Sequence, residues 1–148
     1  MKISLPVGRL LDDLYADSAL KSHSMPSRPV AVTPDRRRAL RRFIIVAAAE
    51  VAGALARHLL SFTPPDPDGE DDNDTIDFEI DGSSCAVPEA IMHHLSAALT
   101  LAALRYVALS TGDYPRAEAY AACLAEATGA LSECIAAPPH TLKIRPSY

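Results

Sequence analysis

Residues 88–115 read PEAIMHHLSAALTLAALRYVALSTGDYP, and the folding of this stretch decides the architecture. Pro88 and Glu89 suit a first helical turn: proline has its φ already set and no amide to leave unpaired, and a carboxylate is favoured at the positive helix end. Ile91, Leu95, Ala98, Ala102 and Leu109 then form one stripe, while Met92, Leu99, Leu101, Leu104 and Val107 widen the apolar surface. Such a helix is buried on more than one side. It ends at Thr111-Gly112, where glycine suits the left-handed residue that follows many helices. Asp113-Tyr114-Pro115 opens a second helix, with Ala117, Tyr120, Ala121, Leu124, Leu131 and Ile135 at helical spacing. A connection of about four residues makes the helices Glu89–Ser110 and Pro115–Ile135 an antiparallel αα-hairpin.

Upstream, Thr33-Pro34-Asp35 is another helix start. Leu40, Ile44, Ala47, Val51, Leu55 and Leu59 continue the periodicity until Pro64 and Pro65, which predicts a helix from about Pro34 to Ser61, roughly 42 Å long. Gly53, between Ala52 and Ala54, permits close approach of another helix there. Thr75-Ile76-Asp77-Phe78-Glu79-Ile80-Asp81 alternates strictly and reads as a strand, with Cys85-Ala86-Val87 as a short partner after the Asp81-Gly82-Ser83 turn. Val7, Leu10, Leu11, Leu14 and Tyr15 predict an amphipathic helix from about Val7 to Lys21, joined to the rest by the Pro- and Ser-containing stretch Ser22–Thr33. The end of the chain, Pro138 to Tyr148, alternates like an extended segment, and there is no internal repeat. The expected fold is therefore mainly α: a small helical bundle with a long helix packed on an αα-hairpin, a short β-strand or hairpin insertion, and extended termini. Its expected division is 1–33, an N-terminal helix and linker, and 34–148, a helical domain with an acidic loop and strand insertion at 64–87 and a C-terminal tail at 136–148. The N-terminal helix and the tail both look like arms for a neighbouring copy.

The chain has 148 residues, 49% hydrophobic and 22% charged, with a formal charge of −5, as expected of one soluble domain. Its 26 alanines, absent tryptophan and 5% aromatics favour close helix packing over large aromatic pockets. Collagenous, mucin-like and disulfide-scaffold classes are excluded, and net acidity argues against general nucleic-acid coating. The first residues reach Asp12 and Asp13 before any long apolar run, unlike a secretory signal, so a cytoplasmic location is expected. Phe43 to Leu60 is the most apolar stretch, but Glu50, Arg57 and His58 interrupt it and no membrane span is expected. Cys85, Cys123 and Cys134 match no zinc or redox spacing and read as buried free thiols.

Two segments of opposite charge stand out. Arg36, Arg37, Arg38, Arg41 and Arg42 fall in the first turns of the long helix, where the helix dipole disfavours cations. They are candidates for solvated arginines neutralised by the acidic segment, for phosphate or DNA contact, or for a subunit interface. Without interleaved aromatics to stack bases, any DNA contact is expected to ignore sequence. Asp66, Asp68, Glu70, Asp71, Asp72, Asp74, Asp77, Glu79 and Asp81 place nine carboxylates in 16 residues. Asp77, Glu79, Asp81 and Gly82 match four positions of an EF-hand loop, but Pro88 stands where the bidentate Glu belongs, so a solvated acidic loop is expected. Glu89, His93 and His94 match neither HExxH nor paired ExxH spacing, and no metal or other cofactor is expected. Ser110, Ser132, Cys123 and Cys134 lack a nucleophile signature, and the chain is not expected to be an enzyme.

Ala103 to Asp113, Ala117 to Leu124 and the terminal Lys143-Ile144-Arg145-Pro146, in their order along the chain, resemble a neck protein of tailed bacteriophages and prophages, the head–tail connector or adaptor class. The resemblance covers Thr33 to Tyr148 and is architectural. It implies a non-enzymatic structural protein that forms a homo-oligomeric ring, with portal and tail proteins as partners and weak non-specific DNA contact. It also implies residence in the host cytoplasm before assembly and in the virion neck afterwards. The alternative is a non-enzymatic bacterial helical module that binds another protein.

Overall fold

Ile76, Phe78 and Ile80 alternate in sequence, and all three are buried, because their strand is the centre of a sheet. The structure is a computed structural model and describes residues 1–24, 36–81 and 87–136. Its elements are β1 (Lys2–Pro6), α1 (Val7–Ser24), α2 (Arg37–Ala54), a 3-10 turn (Ala56–His58), β2 (Leu59–Thr63), β3 (Thr75–Ile80), α3 (Pro88–Ser110) and α4 (Tyr114–Ala136). The antiparallel sheet has the order β1-β3-β2, with Ile3 opposite Phe78, Leu5 opposite Ile76, and Phe62 also opposite Phe78. The fold is mainly α with a small three-stranded insertion.

The hairpin forms as its local signals dictate. Gly112 takes φ +74, the Asp113 carbonyl accepts from the Ala117 amide at 3.0 Å, and the Asp113 carboxylate accepts from the Arg116 amide at 3.3 Å. Leu95, Leu99 and Ala102 of α3 are enclosed, with α2 and α4 packed against this helix. Thr100 is also buried and satisfies its hydroxyl locally, donating to the Ser96 carbonyl at 3.0 Å.

Three expectations are corrected. The helix expected from Pro34 to Ser61 stops at Ala54; Leu59 to Thr63 is β2, because these residues gain a hydrogen-bonding partner in β3. The expected start at Thr33-Pro34-Asp35 lies outside the described residues. The strand partner expected at Cys85–Val87 is replaced by β1 and β2, one on each side of β3; residues 82–86 lie outside the described residues, and Val87 caps α3. The N-terminal segment is no detached arm: Ile3, Leu5, Val7, Leu10, Leu11 and Leu14 belong to the same buried cluster as α2, α3 and β3. The linker 25–35 and the tail 137–148 lie outside the described residues.

Candidate functional site

The arginine-rich start of α2 meets the acidic loop that joins β2 to β3. Arg37 pairs with Asp72, Arg38 with Glu70 at 2.6 Å, Arg41 with Asp74 at 2.5 Å, and Arg42 with Asp68. Arg36 is exposed at the N-cap position of α2. Three of the pairs lie at the surface. Arg41 differs: it is 3% exposed and also donates through Nη1 to the Asp71 carbonyl at 2.9 Å and through Nη2 to the Asp66 carbonyl at 3.0 Å. A buried guanidinium is tolerated because its donors are met on several sides.

The same loop closes the start of α1, whose first amides would otherwise lack partners. Val7 donates to the Asp74 carbonyl at 2.9 Å and Gly8 to the Asp72 carbonyl at 3.1 Å. The carboxylates thus lie beside two positive features, an arginine row and a helix N-terminus. The Arg37 guanidinium hydrogen-bonds Asp72 and holds its carboxyl below the usual carboxylate range. A cavity of about 290 Å³ remains here, lined by Leu11, Arg37, Arg38, Arg41, Gly69, Glu70 and Asp72. Arg37, Arg38, Arg41 and Arg42 thus each meet a carboxylate of the acidic segment.

Of the EF-hand-like residues, Asp77 and Glu79 hold the strands of the sheet to one another, and Gly82 lies outside the described residues. Asp77 binds Lys2 at 2.8 Å across the β1–β3 pairing, and this hydrogen bond pulls the Asp77 carboxyl below its ordinary value. Glu79 accepts from the Ser61 hydroxyl at 2.9 Å across the β2–β3 pairing. Among the described residues, no group of three or more His, Cys, Asp or Glu side chains is placed to hold a metal.

Glu89 and His93 line a cleft of about 350 Å³ between α3 and α1, facing Arg9, Asp13 and Asp17. The participation of α1 was not anticipated. Its signal was the Asp13 and Asp17 pair, four residues apart on one helix face, but nothing local says which helix that face meets. His94 lies beside His93, with ring centroids 5.8 Å apart, and does not line the cleft.

Two further clusters join residues distant in sequence. Arg57 donates through Nε to His58 Nε2 at 3.0 Å and through Nη2 to Ser132 Oγ at 2.9 Å, while Nε2 and Oγ are themselves 3.0 Å apart. Because Arg57 claims the same Nε2 lone pair, the imidazole is not a dedicated base for Ser132. Glu50 accepts from Tyr106 Oη at 2.9 Å and pairs with Arg105 at 3.1 Å beside a cavity of about 180 Å³ between α2, α3 and α4. Burial, and then the bond to Glu50, push the Tyr106 hydroxyl above its ordinary pKa.

The thiols need one correction. Cys123 is exposed on the outer side of α4 and Cys134 is half-buried, both free, because the side of α4 facing the core is taken by Tyr120, Leu124 and Leu131. Cys85 lies outside the described residues. No helix among the described residues is long and apolar enough to cross a membrane. No family model, no curated protein and no solved structure matches the chain.

Proposed function

We propose that the chain is a structural, non-enzymatic protein that associates with copies of itself and serves at the neck of a tailed bacteriophage, as a head–tail connector or tail-completion component in a ring. The observation that carries self-association is the outer face of α4. Glu118, Ala119, Ala122, Cys123, Ala125, Glu126, Gly129, Ala130 and Glu133 are all exposed. At about 100° per residue they fall within roughly 160° of the helix circumference. Six of these nine side chains are small, so a second helix can approach closely, and the glutamates favour a basic partner surface.

The place at the neck is supported by the resemblance carried by residues 103–113 and 117–124 and by the order of the helices around a β-containing insertion. Its partners are then the portal and tail proteins, met in the host cytoplasm before assembly. DNA contact is weak in this reading, since Arg37, Arg38, Arg41 and Arg42 already face carboxylates. The second reading, a module that binds another protein, is favoured by the cleft between α1 and α3, whose Asp13, Asp17 and Glu89 outnumber its Arg9.

Sedimentation of the full chain over a range of concentrations, with imaging of the assembled species, tests the proposal. Mass should rise towards a closed ring, and Ala122→Arg should lower it. A monomer at every concentration overturns self-association. Association that never closes into a ring and never completes phage particles overturns the neck placement.

A further inference from the structure

Among the described residues, Arg37, Arg38, Arg41, Arg42 and Arg105 each meet a carboxylate, whereas Arg57 rests on an imidazole and a hydroxyl. Its Nε donates to His58 Nε2 at 3.0 Å and its Nη2 to Ser132 Oγ at 2.9 Å. These two nitrogens are the lateral edge of the guanidinium, which grips carboxylate and phosphate oxygens two at a time. Here that edge holds weaker, uncharged acceptors. Both acceptors can also donate: the hydroxyl by rotating, and the imidazole through Nε2 once it carries a proton there.

The backbone beneath these head groups is held in place. In the 3-10 turn Ala56–His58, the His58 amide donates to the Leu55 carbonyl at 2.8 Å, and the His58 carbonyl accepts from the Asp81 amide at 2.9 Å. Ser132 belongs to α4, where Leu131 and Ile135 are buried and fix the helix against the core. Arg57 itself is exposed, and His58 and Ser132 are half-buried, so an ion from solvent reaches all three without opening the fold. Residues 75 positions apart in sequence thus converge on one small, accessible patch of donors.

We propose that Arg57, His58 and Ser132 bind a tetrahedral oxyanion, namely a phosphate group. The Arg57 edge takes two of its oxygens. His58 Nε2 and Ser132 Oγ stand 3.0 Å apart, so a third oxygen accepts from both. A carboxylate has only the two oxygens that the arginine edge already satisfies, and it leaves the serine and histidine without a new partner. Binding replaces the mutual hydrogen bonds of the three side chains by charge-assisted ones to the anion, which are the stronger kind. The formal charge of −5 on the chain opposes any anion, so the dissociation constant is expected at about 1 to 10 mM.

NMR titration of the full chain with sodium sulfate and then with inorganic phosphate, at an ionic strength held constant with sodium chloride, tests this. The amides of Arg57, His58 and Ser132 and the Arg57 Nε signal should shift and saturate. Arg57→Gln should weaken binding about tenfold or more, and Ser132→Ala about threefold. Arg57→Lys keeps the charge but removes the two-pronged edge, and should weaken binding nearly as much as Arg57→Gln. Arg36→Gln, at an exposed arginine elsewhere, should change nothing. Unmoved signals from Leu95 to Leu104 of α3 show that each variant is folded. Methyl phosphate in place of the free ion separates the two sources: equal binding assigns the site to a phosphomonoester, and its rejection assigns the site to inorganic phosphate. Shifts that never saturate, or that spread equally to Arg9 and Arg36, overturn the proposal. Full affinity in Arg57→Lys overturns it too, since charge alone would then account for the binding.

Discussion

Arg41 and Asp74 form the one pair of the arginine–acid row in which the guanidinium is enclosed, its side chain 4% exposed against 34% for the carboxylate. The same arginine holds the Asp66 and Asp71 carbonyls, so it fixes the path of the acidic loop as well as its charge. Gly69 is part of this seat: a Cβ there would lie 2.6 Å from Arg41 Nη2. Arg41→Ala should therefore cost about 2 kcal/mol or more, because it removes four hydrogen bonds to the loop and empties the buried seat of the guanidinium, whereas Arg42→Ala at the exposed pair should cost under about 1 kcal/mol. Gly69→Ala should destabilise in the same direction as Arg41→Ala. Urea unfolding of the three variants checks the order, and equal losses for Arg41→Ala and Arg42→Ala would remove Arg41 from its structural role.

The paired arginines set an expectation for polyanions. In the full chain each of Arg37, Arg38 and Arg42 faces a carboxylate, so duplex DNA should bind weakly and without sequence preference. Asp68→Asn, Glu70→Gln and Asp72→Asn together should free those three arginines and tighten binding. Its log–log dependence on salt should then have a slope of about −3, near 0.9 per phosphate contact. Fluorescence titration at several salt concentrations measures this. An unchanged affinity, or one that survives high salt, shows that the row does not meet phosphate.

Much of the helical core was legible because its signals are local. Pro88, Gly112 and Asp113 mark helix ends by their own chemistry, and the Leu95 and Leu124 stripes repeat within single helices. The strand at Thr75–Ile80 was legible because a central strand alternates with its apolar face buried. The edge strands were not. Leu59 continues the spacing of Leu55 and so extends a helical pattern, and its identity as strand depends on β3, reached only through the acidic loop. Likewise Lys2 to Pro6 is strand because Ile3 and Leu5 find Phe78 and Ile76, more than 70 residues away. The segregation of arginine and carboxylate was visible in the sequence; the one-to-one pairing was not, because it follows from the loop path that Arg41 imposes.

Leu95 and Leu124, on the apolar stripes of α3 and α4, are 0% and 6% exposed. Leu95→Ala should cost about 3 to 5 kcal/mol, since α3 is enclosed by neighbours, and Leu124→Ala about 2 to 3 kcal/mol, since α4 has one open side. Thermal and urea unfolding give both values. A loss below about 1 kcal/mol at either position would mean that the core relaxes around the cavity.

Acid should weaken the fold through Asp72 and Asp77. Hydrogen bonds from Arg37 and Lys2 respectively hold both carboxyls below their ordinary 3.8. A group with a depressed folded pKa stabilises fully above its unfolded value and loses that contribution as pH falls through the folded one. Stability should thus be flat from neutrality to about pH 5 and fall below about pH 4. Asp77→Asn should make the acid limb shallower, and a limb of unchanged steepness would show that the Lys2–Asp77 pair contributes nothing to it.

Glu50 ties α2 to α3 through two donors at once, the Tyr106 hydroxyl and the Arg105 guanidinium, while Phe43 stacks on Tyr106 with ring centroids 6.3 Å apart. Arg105 Nε is buried without a hydrogen-bond partner, so this arginine depends on Glu50 for its charge pairing. Glu50→Ala should cost more than Tyr106→Phe, because the first strands a partly buried guanidinium and the second removes one neutral donor whose ring packing stays. Glu50→Gln keeps the acceptor for Tyr106 and loses the charge, and should fall between them. A double-mutant cycle on Glu50→Gln and Tyr106→Phe should give a coupling of about 0.5 to 1.5 kcal/mol. Additive losses would show that the hydroxyl and the carboxylate, although 2.9 Å apart, act independently.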